Sequence, residues 1–254
     1  MMRRREALKI DKMTEKKIPP VLLRYANEIE AEAQMLLEIL QHAIPVVEAY
    51  LDAPLEGLVR FEVLPVGSQY QSGTNAAAGV MRYALKGKEA RTPGLAGELS
   101  YQFAKILWYR GSSDQNYSAP PPRIPKWLLE TVLSPLKFIW FDRDAWQRAF
   151  YKRVQLFEHR GFLSLEQLNH PEKLSENDLI LAEAQYLLRA QSLSQRFPKW
   201  QSDISRKLSI NFDLSAEKAL EQVTSALLDV WEARFKEDAS RWLEYSKQLK
   251  QSSG

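Results

Sequence analysis

Apolar residues at helical spacing dominate this chain, and only a stretch near its middle alternates as a β-strand does. Between residues 21 and 51 apolar residues recur every three or four positions, which predicts a long helix that Pro45 kinks or ends. Residues 57–66 (GLVRFEVLPV) predict a strand, and residues 81–85 predict a second one. The pattern therefore predicts an α+β protein that is mostly helical and has a small sheet.

Further helices are predicted over most of the rest of the chain. Thr92 and Pro93 suit the cap and first position of a helix that ends before Gly111. A polar, proline-rich stretch then predicts a surface loop over residues 111–123. The other predicted helical segments are 125–133, 142–158, 178–197, 200–208, 215–228 (capped by Ser215) and 229–247.

Positive charge is concentrated at the start of the chain. Residues 1–20 contain seven basic and three acidic residues, a net charge of +4, whereas the whole chain carries +3. We interpret these residues as a solvated, flexible tail. A nucleic-acid or membrane-surface binder acting through residues 3–17 is the alternative, with nucleic acid the less favoured partner.

Cysteine is absent, which excludes disulfides, thiol nucleophiles and thiolate metal sites. No apolar run approaches the roughly 20 residues of a membrane span, and no apolar signal segment follows the N-terminus. We therefore expect a cytoplasmic protein. The three histidines are His42, His159 and His170. The last two match no metal-ligand spacing with Glu158 or Glu172, and we expect them at the surface.

Two helical segments contain the most specific spacing in the chain, Leu95–Phe103 (LAGELSYQF) and Ile124–Glu130 (IPKWLLE). In a zinc peptidase of the HExxH type, two histidines four residues apart share one helix face and bind the metal. The glutamate after the first histidine then activates the metal-bound water. This chain has that glutamate, Glu98, but carries Gly97 and Tyr101 at the two histidine positions.

Residues 81–133 resemble the thermolysin-like zinc metallopeptidases, the gluzincins of the peptidase-MA type. In that family a strand precedes the HExxH helix, and a variable loop leads to a second helix with a P-x-W-L-x-E motif. Pro125–Glu130 (PKWLLE) matches this motif, and Glu130 stands at the position of the third zinc ligand. Thr131 replaces the usual glycine.

The resemblance continues in Ala182–Leu188 and from Ser215 to Trp242, and covers about three quarters of the chain. It implies a gluzincin-like domain, with a small sheet packed on an active-site-type helix, followed by a C-terminal helical subdomain. The predicted divisions are a basic tail (1–20), an N-terminal helical segment (21–57), a degenerate metallopeptidase-like core (58–140) and a C-terminal helical subdomain (141–247).

The departure from the family motif falls on the metal ligands. Gly97 has no side chain, and Tyr101 binds a metal only as a phenolate, which its ordinary pKa of about 10 opposes at neutral pH. Only Glu98 and Glu130 remain from the two helices, whereas catalytic zinc normally has three protein ligands. We predict no metal, no cofactor and no zinc-dependent hydrolysis. The resemblance then implies an inactive peptidase-like protein that binds a polypeptide or serves as a scaffold.

Other interpretations stay open at this point. Glu98 and Glu130 are candidates for a carboxylate pair in an active hydrolase without the usual zinc site. An unrelated helical fold is also compatible with the pattern. Tyr101, Trp108 and Trp127 are candidate aromatics of a groove that binds a protein or peptide partner, or they fill space in the core.

Overall fold

A five-stranded mixed sheet and nine α-helices occupy the residues described by the computed structural model, which are 13–87, 89–112, 124–158, 160–210 and 214–252. The predicted α+β class with mostly helical content is confirmed. The chain divides into two units, residues 1–110 and residues 111–254. This division differs from the four predicted segments, because its boundary lies inside the segment 58–140.

The first unit contains the whole sheet, whose strand order is β1-β2-β3-β5-β4. Strands β2, β3 and β5 are parallel to one another, and the two edge strands β1 and β4 are antiparallel to their neighbours. The strands are β1 (Thr14–Ile18), β2 (Val21–Tyr25), β3 (Val59–Leu64), β4 (Gly73–Asn75) and β5 (Val80–Ala84). Helix α1 (Glu30–Leu51) connects β2 to β3, and α2 (Pro93–Ser112) follows β5.

The structure corrects two predictions near the N-terminus. Residues 14–18, predicted as part of a flexible tail, form β1, and residues 21–25, predicted as helix, form β2. The sequence VLLRY fits a helical or an alternating pattern equally well over five residues, and pairing with β1 and β3 decides between them. The rest of the predicted tail, residues 1–12, lies outside the described residues. Residues 14–57 are therefore part of the sheet unit rather than a separate module.

Helix α1 continues through Pro45, which was predicted to kink or end it. Proline removes one backbone hydrogen bond from a helix interior. Pro45 lies on the exposed side of the helix, while Ile44, Val47 and Leu51 continue the buried face.

One face of the sheet is apolar, and the other carries a row of charged residues. Strand alternation and register place Leu23, Phe61 and Met81 in one buried row on the apolar face. On the opposite face the register aligns Arg24, Glu62 and Arg82. Glu62 is buried and lies 2.6 Å from Arg82 and 3.4 Å from Arg24. This ion-paired row crosses three parallel strands and disfavours a slip in their register.

The second unit is helical wherever the structure describes regular elements in it. Its helices are α3 (Lys126–Leu133), α4 (Arg143–Val154), α5 (Leu165–Asn169), α6 (Glu176–Arg196), α7 (Trp200–Ile210), α8 (Ala216–Thr224) and α9 (Leu228–Ser252). Helix α6 contacts α3, α4 and α9 and is buried over much of its length. The predicted caps are confirmed, since Ser215 accepts from the Lys218 amide and Thr92 from the Leu95 amide. Among the described residues, no helix is both long and apolar enough to cross a bilayer.

Candidate functional site

Helix α2 carries three of the four predicted site positions. Thr92 caps the helix and Pro93 occupies its first position, so the helix begins directly after the turn that follows β5. Gly97 and Tyr101 are buried, whereas Glu98 is half-buried. The helix therefore keeps Glu98 within reach of solvent and turns Gly97 and Tyr101, the two positions that the HExxH motif gives to histidine, inward.

A pocket of about 470 Å³ lies beside Glu98, between the end of β5 and the first turns of α2. We call it the Glu98 pocket, and its lining residues are Ser72, Tyr83, Lys86, Glu89, Ala90, Thr92, Gly94, Leu95 and Glu98. All of them belong to the first unit. Small-molecule binding sites commonly have volumes of roughly 300–1,000 Å³, so this pocket is large enough for a ligand group.

One side-chain hydrogen bond holds the Glu98 carboxylate, and a second one holds the residue that donates it. Gln102, one helical turn later, donates from Nε2 to Glu98 Oε1 at 2.6 Å. Thr74 on edge strand β4 donates from Oγ1 to Gln102 Oε1, also at 2.6 Å. The chain Thr74–Gln102–Glu98 thus connects the edge of the sheet to the pocket wall. The second carboxylate oxygen, Oε2, has no hydrogen-bond partner among the described residues.

Tyr83 brings a phenol to the same pocket from strand β5. Its side chain is 7% exposed, and its hydroxyl has no hydrogen-bond partner in the described part of the chain. Burial raises the pKa of Tyr83, and the negative charges of Glu89 and Glu98 raise it further. The phenol therefore stays protonated at neutral pH and can donate or accept a hydrogen bond.

The residues of α2 do not fit a zinc ion of the gluzincin kind. Tyr101 is buried, and the Lys105 ammonium lies 4.2 Å from the centroid of its ring. A cation at that distance opposes a second cation beside the same phenol. Gly97 offers no ligand atom. Across the described residues, no three His, Cys, Asp or Glu side chains come close enough together to hold a metal ion.

Glu130, the fourth predicted position, lies on α3 in the second unit. It borders a cavity of about 20 Å³ together with Arg153, Glu183 and Tyr186. Burial raises the pKa of Tyr186, and the charge of Glu130 adds to that increase. Because Glu98 belongs to the other unit, the predicted pairing of Glu98 with Glu130 stays a prediction.

The candidate groove aromatics Tyr101, Trp108 and Trp127 are all buried. Trp127 stacks against Trp231, with 6.1 Å between the ring centroids. This burial favours the interpretation in which the three rings fill space in the core. His170 is exposed and lies 3.1 Å from Glu172, while His159 lies outside the described residues.

Sequence reasoning found Glu98 but missed the groups around it. Gln102 stands four residues after Glu98, a spacing at which helical side chains meet, so this bond is readable from the sequence. The contributions of Tyr83 and Thr74 are not readable in this way, because they lie on strands β5 and β4, which only the tertiary fold brings beside α2. No protein-family model matches this chain, and no curated protein is similar enough to count as a match.

Proposed function

We propose that this chain is a non-catalytic relative of the gluzincin peptidases, which binds an extended polypeptide at the Glu98 pocket and the neighbouring edge strand β4. One observation carries the proposal. Glu98 is retained and held at the wall of a pocket by Gln102, whereas the flanking positions that would bind zinc hold a glycine and a buried tyrosine.

The order of elements supports the proposed relationship. Strand β5 directly precedes α2, which carries Glu98, and α3 carries the PKWLLE motif after the proline-rich stretch. Strand, helix and second helix follow in the order that the resemblance implies. A helical unit follows them, as the family pattern also implies.

Two features of the sheet edge favour a polypeptide as the ligand. Within the described structure, strand β4 has a neighbour on one side only, and its three residues, GTN, carry no charge. The other edge strand, β1, carries Glu15, Lys16 and Lys17, the type of residue that discourages a further strand. An extended peptide that pairs with an edge strand places side chains into adjacent pockets. Through Gln102, Thr74 joins β4 to the Glu98 pocket.

Metal analysis tests the non-catalytic part of the proposal. We expect the purified chain, saturated with Zn²⁺ and then dialysed, to retain no stoichiometric zinc, because a catalytic site normally needs three protein ligands. We also expect no cleavage in a broad screen of peptide and glycoside substrates. One equivalent of retained zinc, or cleavage that Glu98→Gln abolishes, would instead support an active hydrolase.

Selection from a random dodecapeptide library tests the binding part. We expect enriched synthetic peptides to bind the wild-type chain and to lose at least about tenfold in affinity with Ala90→Trp, because the indole occupies the Glu98 pocket. Ala90 is an exposed lining residue, so this change leaves the core intact. Ala31→Trp, at an exposed position of α1, is the matched control. Selected peptides that bind both variants equally well would place their site elsewhere.

A further inference from the structure

Two polar groups of the Glu98 pocket have no hydrogen-bond partner in the part of the chain that the structure describes. Glu98 Oε2 has no hydrogen bond among the described residues, although Oε1 of the same carboxylate is held by Gln102. The Tyr83 hydroxyl, on a side chain more than nine-tenths buried, also has none in the described structure. Neither atom is among the fully buried, unpartnered side-chain atoms of the described residues, so both keep some solvent-exposed surface, and a ligand in the pocket can replace the water that otherwise satisfies them.

The remaining charges of the pocket favour a hydrogen-bond donor as that ligand. Glu89 also lines the pocket, but its carboxylate accepts from the amides of Lys86 and Gly87 and so holds the turn after β5. A carboxylate only accepts hydrogen bonds, and among the described residues that line the pocket two carboxylates face one lysine. The group that satisfies Glu98 must therefore donate, and a cation does so with the greatest gain.

The apolar part of the wall favours a cation on an aliphatic chain. Ala90, Gly94 and Leu95 lie beside Glu98 around the same pocket and offer no competing polar side chain. Lysine and arginine bury their methylene stems along such surfaces while the charged end meets a polar partner. The volume of about 470 Å³ accommodates either side chain.

We infer that the Glu98 pocket recognises a cationic nitrogen of the bound polypeptide, an ammonium or guanidinium that donates to Glu98 Oε2 and to the Tyr83 oxygen. This inference rests on the proposed polypeptide-binding function. It assigns ligand binding to Glu98, which stands at the general-base position of the HExxH motif. Glu98 and Tyr83 are the contacts, while Gln102 and Thr74 are positioning residues. The nitrogen comes from a basic side chain or from the free N-terminus of the peptide.

Peptides that differ in one charge test the inference. The probes are short acetylated and amidated peptides with a central lysine, arginine or norleucine, and a norleucine peptide with a free N-terminus. Binding is followed by amide chemical shifts of the full-length chain. We expect lysine and arginine to shift resonances of residues 86–98 and to bind about ten- to a hundredfold more tightly than acetylated norleucine. Preferred binding of the free N-terminus identifies the terminal amine as the source.

Glu98→Gln is the decisive variant, since glutamine keeps the oxygen that accepts from Gln102 and loses only the charge and the second acceptor. We expect it to remove the preference for the cationic peptide while circular dichroism stays unchanged. Glu32→Gln, at an exposed position of α1, is the matched control. Equal binding of lysine and norleucine peptides, or an unchanged preference in Glu98→Gln, overturns the inference.

A comparison of n-butylammonium with 1-butanol separates this inference from the proposed function. We expect the ammonium alone to shift resonances of the Glu98 pocket, whether or not the library yields a peptide. A different outcome is that library peptides bind and are blocked by Ala90→Trp, while neither the charged peptides nor n-butylammonium bind better than their neutral counterparts. In that case the inference fails and the polypeptide-binding proposal stands. If the ammonium binds and no peptide does, the polypeptide proposal fails instead.

Discussion

Glu232→Gln is expected to lower the free energy of unfolding of the second unit by about 3–5 kcal/mol, because it leaves a buried cation without its counter-charge. The cation is Arg189 on α6, whose side chain has no exposed surface. Its two terminal nitrogens donate to the two oxygens of Glu232 on α9, at 2.7 and 2.8 Å. The guanidinium also lies 4.6 Å from the centroid of the Phe235 ring.

Burial dominates the protonation of both partners. It lowers the pKa of Arg189 to about 10, although Glu232 acts in the opposite direction. It raises the pKa of the Glu232 carboxyl, again against the effect of Arg189. The cost of removing both charges from water is therefore at least as large as the attraction between them. We expect the double variant Arg189→Met/Glu232→Leu to recover most of the stability that the single change loses.

Urea unfolding followed by tryptophan fluorescence measures these changes. Six of the seven tryptophans lie in the second unit, so the signal reports mainly on it. Glu244→Gln, at an exposed position of α9, is the matched control and should change stability by less than about 0.5 kcal/mol. A single variant as stable as that control, or a double variant no more stable than the single one, would contradict the argument.

The Arg189–Glu232 pair shows which parts of this fold a sequence predicts. Helical periodicity located α6 and α9, because each buries a continuous apolar stripe that local spacing records. The same spacing shows Arg189 only as one of many charges. Its partner comes 43 positions later, and no local pattern joins two residues on different helices. Packing of α6 against α9 decides that this arginine is buried and paired.

Strands were predicted only where their residues repeat the pattern of a buried β-strand. The segment of β3 has that pattern, whereas β4 is three polar residues that become a strand through pairing with β5. The candidate site divides in the same way. The motif around Glu98 indicated the carboxylate, but the sheet brings Tyr83 to the pocket wall and Thr74 to Gln102, which no local pattern records.

Asp238→Asn is expected to destabilise the second unit by about 3 kcal/mol at neutral pH, because it removes a buried charge from a cluster of donors. Asp238 on α9 is 2% exposed and accepts from Ser192 Oγ at 2.6 Å and from Arg196 Nη2 at 2.9 Å, both on α6. Arg241 donates to it from the next turn of α9. The carboxylate therefore ties two helices together as well as satisfying two arginines.

The loss of unfolding free energy caused by Asp238→Asn is expected to depend on pH. The hydrogen-bond donors around Asp238 decide whether the loss grows or shrinks on acidification. Burial acts to raise the pKa of Asp238, but the hydrogen bonds from Arg196, Ser192 and Arg241 outweigh it and hold the pKa below the ordinary 3.8. A carboxyl with a lowered pKa in the folded state stabilises the fold above its unfolded-state pKa, and this stabilisation is lost as pH falls through its folded-state pKa.

The difference in unfolding free energy between wild type and Asp238→Asn should therefore be constant from about pH 7 to about pH 5 and shrink below about pH 4. Urea unfolding at each pH measures it, with the exposed Asp144→Asn as control. A difference that grows on acidification would mean that burial, rather than the arginines, governs this carboxylate.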